Sequence, residues 1–243
     1  MQGEVRNSHG ERLDYTYHAA SNADDTGPLV VIGHGVTGNK DRPFVVSLAE
    51  GLATAGVDTL RMSFSGNGES EGRFEDSTIS KEVDDLGALL DALGSRPICF
   101  IGHSMGGAVG VLRASQDERI RWLVSLAGMV HTRAFAEREF SDVTPDAGCM
   151  WEEPSCPLSQ TYIDDMNQID TVVESARMIH VPWLLVHGSE DDVVPPQDAS
   201  DILAKAGDNA RLTQIAGADH VFSEDPTQMV TPVVDWVRQQ TQD

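Results

Sequence analysis

The stretch "PICFIGHSMGGAVGVL" (residues 97–112) sets an apolar run directly against a helix-like run that opens on small residues, with one hydroxyl, Ser104, at the junction. "ICFI" has the character of a parallel strand covered on both faces, and "MGGAVGVLRAS" that of a helix. A strand that turns straight into a helix needs a tight elbow. The residue at its corner takes a strained backbone conformation, and glycines on either side keep neighbouring side chains from colliding with it. The Ser104 hydroxyl is then expected to be pushed into the open, with the first N–H groups of the helix aimed at whatever it attacks. The same letters also fit a plain glycine-rich turn in which Ser104 caps the helix.

Outward from this elbow, strand-like and helix-like runs take turns. "PLVVIGH" (28–34), "PFVVSLAEGLATAG" (43–56), "VDTLRM" (57–62) and "SKEVDDLGALLDALG" (80–94) precede it. "IRWLVSLAG" (120–128), "PWLLVHG" (182–188), "DASDILAKAG" (198–207), "ARLTQIAG" (210–217) and a last helix carrying Val230, Val233, Val234 and Val237 follow it. In the run at 80–94, Val83, Leu86, Leu89, Leu90 and Leu93 make one stripe at helical spacing, and Gly94 stands where such a helix would end. The alternation predicts an α/β fold with a doubly wound, mostly parallel sheet. An early strand around 12–19 is expected to pair antiparallel at one edge. No linker-like segment divides the chain, so 1–243 reads as a single domain. Between 129 and 180 the rhythm breaks: Phe135, Phe140, Trp151, Tyr162, Ile163, Met166 and Ile169 gather among acidic residues and prolines. This segment reads as an inserted cap overhanging the ligand crevice at the carboxyl end of the sheet. A helical excursion packed elsewhere is the plainer reading.

Composition narrows the function. The 243 residues include 39 acidic against 17 basic ones, a formal charge of −22. Such a surface disfavours nucleic acid, anionic membranes and highly anionic substrates. No run approaches the ~18 uninterrupted apolar residues of a membrane span, and the first twenty residues show no signal-peptide core, which points to a cytoplasmic protein. Cys99, Cys149 and Cys156 suggest neither a disulfide framework nor a zinc site, and "SEDD" (189–192) lacks the ligand pattern of a calcium loop. The glycines of "SFSGNGESEG" (63–72) do not fit a dinucleotide loop, and Glu69 and Glu71 would repel a pyrophosphate. No metal and no cofactor is expected. The partners left are a small-molecule substrate and a second copy of the chain in a homodimer.

A nucleophilic Ser104 needs a base and an acid that orients the base. "SEDDVVPP" follows the strand-like "WLLVHG", and "ADHVFSE" follows "ARLTQIAG", offering Asp191 or Asp192 and then His220. The order serine, acid, histidine along the chain is the one an elbow serine on this kind of sheet requires. A loop aspartate is commonly a turn residue and a loop histidine commonly only solvated. Three such coincidences after three predicted strands are much less probable than one constellation.

"HGVTGNK", "SFSGNGESEG", "GHSMGG", "HGSEDDVVP" and "GADH" together resemble the α/β-hydrolase superfamily, nearly end to end. The pairing of "HGVTGNK" with "GNGES" is similar to small bacterial serine esterases of the cinnamoyl/feruloyl type, which carry a short cap over the site. That resemblance implies Ser104, Asp191 and His220 as a catalytic triad. It also implies the backbone N–H groups of Val36 and Met105 as the oxyanion hole. The reaction it implies is hydrolysis of small carboxylic esters through an acyl-enzyme. Thioester, lactone or short-peptide hydrolysis would use the same parts, and a non-catalytic ligand receptor on the same fold is the contrasting class.

Overall fold

The apolar runs form a seven-stranded sheet in the computed structural model, which describes residues 3–20 and 27–241. Two short strands, β1 (Val5–Arg6) and β2 (Arg12–Leu13), pair with each other beside it. The sheet contains β3 (Tyr15–His18), β4 (Leu29–Gly33), β5 (Asp58–Met62), β6 (Ile98–His103), β7 (Ile120–Leu126), β8 (Trp183–Gly188) and β9 (Ala210–Ile215). Their spatial order is β3-β5-β4-β6-β7-β8-β9. The expected antiparallel edge is β3 against β5, and all other pairs are parallel. Every residue of β4, β5, β6 and β8 is buried, as strands covered on both faces require.

Two helical layers do the covering, and strand residues serve them alternately. Leu29 and Val31 of β4 join one core with Leu86 of α2 (Ile79–Leu93), Val109 of α3 (Met105–Ala114) and Ile202 of α6 (Pro196–Leu203). Val30 and Ile32 join the other, with Leu48 of α1 (Pro43–Thr54) and Val233 of α7 (Thr227–Thr241). The period of two along the strand divides the apolar surface between the layers. Helix α2 starts on Thr78, whose side chain accepts from the Lys81 N–H; its end at Gly94, with φ 68°, is the one the sequence predicts.

Between β7 and β8 the chain forms α4 (Thr132–Phe140), α5 (Gln160–Ile169) and shorter helical turns, with a single isolated bridge between Cys149 and Pro157. Phe135, Phe140, Tyr162 and Met166 are buried and belong to the core shared with α2 and α3. All three cysteines are free. No helix among the described residues is long and apolar enough to cross a membrane.

Candidate active site

The elbow forms where the sequence places it. Ser104 has φ 54° and ψ −119°, a conformation an L-residue adopts only under constraint. Its N–H donates to the Leu126 carbonyl, and its own carbonyl accepts from Gly107 and Met129. The turn is too tight for side chains: a Cβ on Gly102 would lie 2.0 Å from the Gly106 oxygen. The Ser104 side chain makes no capping bond to α3, so the plain helix-cap reading does not describe it. Openness differs from the expectation. Ser104 is only 2% exposed, because the glycine-rich loop after β4 and the His220 loop close around it. Its access is through a cavity of about 560 Å³ lined by residues 34–38, 42–44 and 220–223, together with His103, Trp151, Val193 and Pro226.

The two adjacent aspartates separate cleanly. Asp191 is buried after β8, whereas Asp192 is exposed. The Asp191 Oδ1 accepts from the Val193 and Val194 N–H groups, and its Oδ2 lies 2.9 Å from His220 Nδ1. A carboxylate only accepts, so Nδ1 carries the proton and Nε2 of a neutral His220 is the basic nitrogen. Burial opposes ionisation of Asp191, but hydrogen bonds from His187 and His220 outweigh it and hold the carboxyl well below its usual range. His220 and Ser104 open on the same cavity.

Val36 lines that cavity; Met105 does not, and its Sδ turns away to the Tyr162 hydroxyl at 3.6 Å. The N–H of Met105 still opens α3 directly after Ser104. Among the described residues neither the Val36 nor the Met105 N–H donates a hydrogen bond. Under the loop, His34 is buried, with Nε2 accepting from the Phe64 N–H and Nδ1 facing the Gly35 carbonyl. Burial lowers its pKa to about 4, so it is a neutral strut.

Two further histidines escaped the sequence reading. His103, the residue before Ser104, places Nε2 2.9 Å from the His220 carbonyl and ties the elbow to the His220 loop; burial lowers its pKa to about 3. His187, at the end of β8, has Nε2 3.1 Å from Asp191 Oδ2 and 2.9 Å from the Val194 carbonyl, so that nitrogen carries a proton shared between two acceptors. Both stand inside the quoted "GHSMGG" and "HGSEDDVVP", where their positions next to the chemistry were the available signal. From the inserted segment only Trp151 reaches the cavity, in place of the larger aromatic set expected of a cap. Trp151 stands at φ 48° and ψ 37°, packs edge-on to Phe140 at 5.1 Å, and donates through Nε1 to Glu139. Among the described residues no group of three or more His, Cys, Asp or Glu side chains could hold a metal ion.

Two family models match the chain. One for the alpha/beta hydrolase fold matches residues 28–145, and one described as serine aminopeptidase, S33, matches residues 156–227. The chain belongs to the α/β-hydrolase superfamily. Among solved structures of that superfamily, Est1E from Butyrivibrio proteoclasticus with ferulic acid bound superposes with a TM-score of 0.89 at 25% identity, covering 100% of both chains. Alpha/beta hydrolase domain-containing protein 10 from mouse shares the fold, with a TM-score of 0.79 at 17% identity over 98% of both chains. By sequence, the palmitoyl-protein thioesterase ABHD10 of Bos taurus is 24% identical over 69% of this chain and 58% of its own length.

Proposed function

We propose that the chain is a serine hydrolase that cleaves small carboxylic esters through an acyl-enzyme. The observation that carries this reading is the 2.9 Å contact between His220 Nδ1 and the buried Asp191, made where the His220 ring and Ser104 share one largely apolar cavity. Ser104 Oγ attacks the ester carbonyl while His220 Nε2 takes its proton, and Asp191 supports the imidazolium so formed. The developing oxyanion faces the Val36 and Met105 N–H groups. Collapse expels the alcohol, protonated by His220, and a water activated by the same nitrogen releases the acid. Est1E is seen with ferulic acid bound and ABHD10 is a palmitoyl-protein thioesterase, both consistent with acyl chemistry at such a site.

The test pairs a fluorophosphonate probe with a panel of p-nitrophenyl and phenolic esters. Wild type should be labelled and should hydrolyse part of the panel. Ser104→Ala should stay folded, lose labelling and lose at least about 10⁴-fold in kcat. An unlabelled wild type would assign the chain to the receptor class instead.

A further inference from the structure

The cavity beside Ser104 contains a charge that ester hydrolysis itself does not use. Although acids outnumber bases 39 to 17 in the chain, among the described residues no Asp or Glu lines the cavity, and Arg42 is the one Lys or Arg that does. Arg42 immediately precedes α1, and its Nη2 donates to the Thr37 carbonyl at 2.8 Å, which fixes the guanidinium against the loop that carries Val36. It forms no ion pair among the described residues. Its neighbour Asp41 is engaged elsewhere, by Lys40 at 2.8 Å and by Arg61. Of the other Lys and Arg side chains, those without an ion pair among the described residues are Arg121, Arg211 and Arg238, and none of them lines the cavity. His34 and His103, which share the lining, are neutral because burial lowers them to about 4 and about 3.

A guanidinium held by one carbonyl keeps most of its N–H fork available, and that fork matches a carboxylate. We propose that the ester hydrolysed at Ser104 carries a carboxylate, bound by Arg42 while the ester carbonyl sits at the serine. This rests on the esterase reading and narrows it. The global charge of −22 argued against highly anionic substrates, but the local lining selects for a single anionic group. The carboxylate could stand on the acyl half or on the alcohol half of the ester.

Two ester pairs distinguish these halves: 4-nitrophenyl hemisuccinate against 4-nitrophenyl butyrate, and 4-acetoxybenzoate against phenyl acetate. The readout is the ratio of kcat/KM for the charged over the neutral member, in wild type, Arg42→Gln and Arg42→Lys. In at least one pair the ratio should fall about tenfold in Arg42→Gln at low ionic strength, with part of it kept in Arg42→Lys. In wild type it should shrink at about 0.5 M sodium chloride, since Arg42 is exposed. The overall negative charge acts on wild type and variants alike, so it drops out of the comparison. Unchanged ratios in both pairs overturn the proposal. Binding to Ser104→Ala of N-phenylsuccinamic acid against butyranilide for the acyl half, and of 4-acetamidobenzoate against acetanilide for the alcohol half, followed by tryptophan fluorescence, separates the two readings. Charge-selective binding that Arg42→Gln abolishes, without wild-type turnover, would overturn the esterase reading alone. Ester turnover without charge-selective binding in either pair would overturn the anion site alone.

Discussion

Asp191 is the residue on which the site geometry converges. Its Oδ1 is fixed by two backbone N–H groups, and its Oδ2 meets two histidines, so the carboxylate has no freedom to serve another partner. Asp191→Asn should therefore lower kcat by about 10³–10⁴-fold through the wrong imidazole tautomer, whereas the exposed Asp192→Asn should remain close to wild type. Because hydrogen bonds hold the Asp191 carboxyl below its usual range despite burial, it is ionised throughout pH 5–8. A larger loss in Asp192→Asn would move the acid by one residue, and near-normal activity in both would place it elsewhere. The residues alone left this choice open, because adjacent side chains leave the backbone in different directions and only the fold of the loop says which one turns inward. His103 was less legible still. Its partner is the carbonyl of a residue 117 positions away, and nothing local in a sequence encodes such a contact.

Among the elements, strands are legible in the sequence because apolar runs covered on both faces leave a strong trace, as "ICFI" does in β6. The inserted segment is less legible. Its aromatic residues were visible, but which way each one turns depends on backbone conformations such as the positive φ of Trp151, which no periodicity announces. Helix α2 shows the reverse case, a charged residue on a buried face. Glu82 is 1% exposed, both carboxyl oxygens lack partners among the described residues, and Asp85, Asp165, Lys81 and Tyr162 of α2 and α5 surround it. Burial, reinforced by Asp85 and Asp165, raises its pKa well above the usual range. The folded chain thus retains a proton that the unfolded chain releases above about pH 4.5, and wild-type stability falls as pH rises from there through the raised value. Glu82→Leu removes this dependence. The melting temperature of the variant relative to wild type should therefore climb between pH 5 and 8, by about 3–5 °C for each pH unit crossed below the folded pKa. A gap that stays constant with pH would show that Glu82 does not titrate in this way.

For the molecule as a whole, the excess of negative charge sets two electrostatic ranges against each other. Most basic side chains lie in contact pairs such as Arg96 with Asp58 at 2.5 Å and Arg119 with Asp91 at 2.7 Å, while the surplus acids repel one another over longer distances. A like-charge pair ~10 Å apart in water costs about 0.4 kcal/mol without screening, and the surplus of 22 supplies many such pairs. At about 1 M sodium chloride the Debye length is roughly 3 Å, comparable to the contact pairs and far shorter than the repulsive separations. Screening therefore removes more repulsion than attraction. The half-buried pairs, Arg96–Asp58 among them, lose least, because solvent ions cannot enter between the groups. The melting temperature should accordingly rise between low salt and about 1 M sodium chloride. Because sulfate also strengthens apolar burial by exclusion from the surface, the two salts are compared at equal ionic strength. A rise in both attributes the effect to screening of the acidic surface. A rise in sulfate alone attributes it to salting-out and leaves the surface charge without a measurable cost to folding.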